Sequence, residues 1–136
     1  MTPDDLNKAV NGDFAAFSLL LNQPHRAIEQ CRQTLPNLIL TADGLRQVLL
    51  ALLEHRIDEG SVQKWASFVR RGYVAKAFKD PVAPIVIDYD SSAEELIAEI
   101  IARLDEIGDE IDGVVTDVEI AKWLDLLPKG TTDQIA

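Results

Sequence analysis

Apolar residues recur three and four positions apart in one stretch after another, and that spacing dictates helices. Leu45, Val48, Leu49, Leu52 and Leu53 form the broadest stripe, which Leu50 and Ala51 widen toward the circumference of a central helix. Val62, Trp65, Ala66, Val69 and Tyr73, with Phe68 beside them, line a second. Leu96, Ile97, Ile100, Ile101, Leu104 and Ile107 line a third. Phe14, Phe17, Leu20 and Leu21 share a shorter face, as do Ile120, Trp123, Leu124 and Leu127 before Pro128. Start signals precede these runs. Thr2 ahead of Pro3, then Asp13, Thr41 and Asp58, read as N-caps whose side chains accept from free amides of the first turn. Ser91 with Glu94, and Thr116 with Glu119, read as capping boxes. Pro24 opens a short helix that ends before Pro36, and Gly12 and Gly108 interrupt the pattern. A helix end near His55-Arg56 places basic groups at its negative pole. From Val74 to Asp90 the periodicity fails. Pro84 to Asp90 has extended character, but a lone strand has no partner, so a loop is expected. The expected fold is all-α, a single-domain irregular bundle of six or seven helices with little or no sheet.

At 136 residues with 47% apolar side chains, the chain can bury a core without staples. Residues 1–128 read as one helical domain, and residues 129–136 as a flexible tail with little to bury. Cys31 is the sole cysteine, so no intrachain disulfide can form. Cys31, His25 and His55 together fall short of a structural zinc set. The start, Met1-Thr2-Pro3-Asp4-Asp5, is acidic where a signal peptide is basic. The longest apolar run, Val48 to Leu53, is far below the roughly 20 residues of a membrane span. A cytoplasmic location is expected.

Charge is the feature that points toward a class of partner. Of the formal net charge of −10, nearly all lies after Asp80, where fourteen acidic residues face only Arg103, Lys122 and Lys129. That balance argues against nucleic acid and anionic membranes and permits a basic protein surface or a divalent cation. Glu95, Glu99 and Glu106, with Asp105 and the following Asp109, Glu110 and Asp112, fall off the apolar stripe. Arg103 is placed to pair with Glu99 one turn before it. Asp88, Tyr89 and Asp90 extend this surface, with the tyrosine as an aromatic anchor between two acids. Arg70, Arg71, Lys76 and Lys79, interleaved with Tyr73 and Phe78, form a smaller basic group. It suits either internal pairing with the acidic hairpin or the opposite pole of a dipolar surface.

The stretch from Gly108 to Glu119 resembles a twelve-residue EF-hand loop, with Gly113 sixth, Val115 eighth and Glu119 twelfth. Its first position is Gly108 where a liganding Asp belongs. The same residues also spell an ordinary helical hairpin, with Glu119 as capping partner, and no metal is expected. A calcium-responsive module using this degenerate loop is the alternative function. A structural or oligomeric protein, paired through the Leu45–Leu53 face, is another. No phosphate loop, nucleophile elbow or zinc-protease helix motif occurs, so no catalytic residue, cofactor or enzymatic activity is expected.

Leu45-Arg-Gln-Val-Leu-Leu, the turn at Ile57-Asp58 and Val62-Gln-Lys-Trp65-Ala66 resemble a pattern of small uncharacterised bacterial all-helical proteins. Those combine a leucine-rich helix, a turn and a Trp-Ala helix, followed by a hairpin like the one from Ile100 to Leu127. His55-Arg56 stand here where such proteins often carry Gly. The resemblance is structural and loosely immunity-protein-like, and it transfers no binding or catalytic residue. It implies a non-enzymatic acidic module, in its most concrete form an immunity protein neutralising a basic, nuclease-like toxin. The expected partner-binding residues are Asp88, Tyr89, Asp90, Glu95, Glu99, Glu106, Asp109, Glu110 and Asp112.

Overall fold

The computed structural model describes residues 1–73, 83–108 and 113–128. These fold into seven helices and one small parallel sheet: α1 Pro3–Val10, α2 Phe14–Leu21, α3 His25–Gln33, β1 Ile39–Leu40, α4 Ala42–Leu53, α5 Glu59–Arg71, β2 Asp88–Tyr89, α6 Glu94–Asp105 and α7 Asp117–Leu126. The all-α expectation holds. The tail at 129–136 lies outside the described residues.

Most boundaries follow from local chemistry. Thr2, Asp13, Thr41, Asp58 and Thr116 each accept a hydrogen bond from an amide of the following turn. The capping boxes at Thr2 and Thr116 are closed by Asp5 and Glu119. Gly12, at φ +93°, turns the chain from α1 into α2, a backbone conformation that suits a residue without Cβ. Gly72 ends α5 at φ +79°, and a Cβ there would collide with the carbonyl of Ile85. That close approach lets the returning chain pack on the end of α5.

Two expectations fail on α4 and α6. Leu50 is 37% exposed, so α4 is buried around less of its apolar circumference than a central helix would be. Ser91 does not cap α6. The N-cap is Ala93, without a side-chain hydrogen bond, and Ser92 donates instead to Asp90, from its amide at 3.1 Å and its hydroxyl at 2.8 Å.

The stretch before Asp90 is also corrected. It finds a strand partner in Ile39–Leu40, with Ile39 opposite Asp88 and Leu40 opposite Tyr89. The amides of Asp88 and Asp90 donate to the carbonyls of Leu38 and Leu40 at 2.9 and 3.0 Å. Only two residues long, β1 carries no strand signal of its own. Side chains complete the pairing. Asn11, just past α1, donates to the Ile39 carbonyl at 2.9 Å and accepts from the Thr41 amide at 2.9 Å. Arg32 donates to the Val86 carbonyl at 2.8 Å, and His25 to that of Ala83 at 2.7 Å. A carbonyl only accepts, so Nε2 of this buried histidine carries the proton.

One continuous core runs through all helices and includes fully buried Leu6, Ile28, Leu45, Leu49, Trp65, Ile97 and Ile101. α5 packs most extensively on α6, and α1 on α2. α7 lies on α4 in the opposite direction. Arg46 near the start of α4 donates to the carbonyls of Leu124, Leu127 and Pro128 at the end of α7, over 3.1, 2.9 and 2.6 Å. Those carbonyls lack intrahelical donors, so the guanidinium serves as a cap from a neighbouring helix.

Candidate interaction surface

The acidic half of the chain divides into carboxylates that hold the fold and carboxylates that face water. Asp105 belongs to the first group, contrary to its expected outward position. Its side chain is only 3% exposed, with Arg70 and Arg71 of α5 at 3.1 and 3.6 Å and the Gln63 amide at 3.2 Å. Internal pairing of Arg70 and Arg71 with the acidic hairpin was one of the two roles open to them, and they take it here. Glu106 meets Arg103 at 3.3 Å. Arg103 does not reach back to Glu99. It reaches across to both carboxylate oxygens of Glu119 at 3.2 Å and to the Val114 carbonyl at 3.1 Å, tying the end of α6 to the start of α7. These partners raise the affinity of the Arg103 guanidinium for its proton, Glu119 first.

Asp90 is likewise structural. It accepts from Ser92 and from the Ala42 amide at 3.2 Å, and the Ser92 bonds hold its carboxyl below the ordinary range. It therefore joins β2 to the starts of α4 and α6. Tyr89 is half-buried, and burial pushes its hydroxyl up against the opposing pull of Arg70. An anchor already packed in its own molecule has little area left for a partner.

Asp88, Glu95 and Glu99 are exposed as expected. Glu94 joins them. Sequence reading assigned it to a capping box with Ser91, and its exposed place at the first position of α6 became visible only once that cap moved to Ala93. Among the described residues no lysine, arginine or histidine forms an ion pair with any of these four carboxylates. Glu95 and Glu99 stand one turn apart on the face of α6 opposite Ile97, Ile100, Ile101 and Leu104. Asp109, Glu110 and Asp112 lie outside the described residues.

The EF-hand reading loses its twelfth position to the fold, because Glu119 is engaged by the Thr116 amide and Arg103. No group of three or more His, Cys, Asp or Glu side chains among the described residues is arranged to hold a metal ion. No described helix is long and apolar enough to cross a membrane. None of the protein-family models, curated proteins or solved structures compared with this chain matches it.

Proposed function

We propose that this protein is a non-enzymatic binding module whose α6 face meets a basic surface on a protein partner, as an immunity protein meets a nuclease-like toxin. One observation supports this reading above the others: Asp88, Glu94, Glu95 and Glu99 are exposed and form no ion pair among the described residues, while Arg70, Arg71 and Arg103 are committed to other carboxylates. Such a row of like charges acts mainly on encounter, raising the association rate more than the final affinity. Of the nine residues expected from sequence, Asp109, Glu110 and Asp112 lie outside the described residues, and the rest are revised in this reading. Asp90 and Glu106 serve the fold, Tyr89 contributes at its edge, and Glu94 is added.

The test is kinetic. Association is measured by surface plasmon resonance against a panel of basic proteins that includes nuclease-like toxins, using a Glu94→Lys, Glu95→Lys, Glu99→Lys triple variant. Association slows by about tenfold or more at low salt and converges with the unmodified protein as salt rises. Rates that ignore both the substitutions and the salt remove the α6 face as the site.

A further inference from the structure

Between the α4–α5 turn and the start of α7 lies a cleft of about 330 Å³ that the acidic face does not include. Its floor is apolar: Leu52 and Ile120 are buried, and Ile57 and Val115 half-buried. Its rim carries exposed carboxylates from two different helices, Glu59 of α5 and Asp117 of α7, with Asp58 beside them. The cationic Arg56 at the rim is already paired with Glu54 at 2.7 Å. His55 completes the rim. Val114 and Val118, the sequence neighbours of the lining residues Val115 and Asp117, stand 76% and 80% exposed.

We infer that this cleft receives one arginine or lysine side chain of a basic protein partner, its stem on the apolar floor and its head between Glu59 and Asp117. The inference rests on the reading of the protein as a binder of basic surfaces and adds where the partner anchors. Long cationic side chains bury their methylenes against apolar surface while the charged end stays among polar groups, and this cleft offers both parts in that order. Arginine is also among the residues that most often dominate the energy of protein interfaces. A second copy of this chain is the poorer occupant, since two molecules of net charge −10 repel each other.

The test is an amide NMR titration of the full chain with the end-blocked peptide Gly-Gly-Arg-Gly-Gly, and with the same peptide carrying Glu in place of Arg. The arginine peptide produces saturable shifts at Leu52, Ile57, Val115 and Ile120 with a dissociation constant of about millimolar order, as expected for one side chain. The glutamate peptide leaves them unmoved. A Glu59→Gln, Asp117→Asn variant with an otherwise unchanged spectrum weakens the arginine peptide by roughly tenfold. Equal shifts from the two peptides, a Glu59→Gln, Asp117→Asn variant that binds the arginine peptide undiminished, or shifts confined to Glu94–Glu99 overturn the cleft while leaving the α6 face standing. Shifts that appear with rising protein concentration alone assign the cleft to self-association and also overturn the inference. If the arginine peptide moves no residue of the cleft, the inference falls, and the α6 reading is decided separately by its own kinetic variants.

Discussion

Replacing Trp65 with Phe isolates a single buried hydrogen bond on which the packing of α5 against α1 depends. Trp65 is fully buried, its ring tilted against Phe14 at 6.3 Å between centroids, and its indole N–H donates to the Ala9 carbonyl over 2.9 Å. Ala9 is itself fully buried in the last turn of α1, where carbonyls have no intrahelical donor. Phenylalanine keeps an aromatic ring there but supplies no donor. Leaving that carbonyl without a partner and without water costs about 2 kcal/mol. The smaller ring leaves a void worth about 1 kcal/mol more. The sum, about 3 kcal/mol, lowers the midpoint of thermal unfolding by roughly 10 °C for a chain of this size. Urea unfolding followed by far-ultraviolet circular dichroism reads the change as a lower midpoint at constant slope. Trp123→Phe is the control, since Trp123 is 7% exposed and its indole N–H donates to no described protein atom. If Trp65→Phe costs no more than Trp123→Phe, the Ala9 bond does not carry the load assigned to it.

His55 sits at φ +57° in the left-handed region, so His55→Gly stabilises the protein by about 0.5 kcal/mol once glycine's greater freedom in the unfolded chain is subtracted, and a loss in urea unfolding refutes this. Asp105→Ala removes the acceptor shared by Arg70 and Arg71 and costs about 2 kcal/mol, less than a fully buried pair because both guanidinium groups are about half exposed and regain water. A neutral result in the same unfolding assay shows that α5 and α6 hold together by apolar contact alone. Asp90 has its carboxyl held below the ordinary value of 3.8 in the folded state, so its contribution is full above that value and is lost as pH falls through the lower folded value. Asp90→Asn therefore flattens the acid limb of stability against pH below about pH 4, and an unchanged limb contradicts the bonding described.

Helix positions were legible because their determinants are local. A threonine or aspartate cap and a stripe every three or four residues act within one helix, and α1, α2, α4, α5 and α7 begin at the caps that these residues announce. What failed was non-local. Whether Asp88–Tyr89 becomes a strand is decided by Ile39–Leu40, and by Asn11, which holds β1 in place. Asp90, read as part of an outward surface, instead binds Ser92 ahead of α6 and the Ala42 amide at the start of α4. The acidic surface suffered most from this blindness. Sequence places Asp105, Glu106 and Glu119 in a negative segment but cannot show that three arginines from α5 and α6 converge on them.

Once those pairings are removed, the remaining negative charge is unequally accounted for by the fold. Glu94 and Glu95 occupy the first turn of α6, where the helix dipole and unpaired amides favour an anion, so their charge has a structural use even in isolation. Glu99 has none. It lies mid-helix, one turn beyond Glu95, and the like-charge pair opposes helix formation by about 0.2–0.5 kcal/mol. Arg103, one turn further on, could have relieved it and is directed instead to Glu106 and Glu119. Asp88 repeats the situation on β2, exposed and without an ion pair among the described residues. Glu99 and Asp88 are thus, among the described residues and together with exposed Asp125 in the last turn of α7, positions where folding chemistry supplies no reason for a carboxylate and the proposed basic partner would.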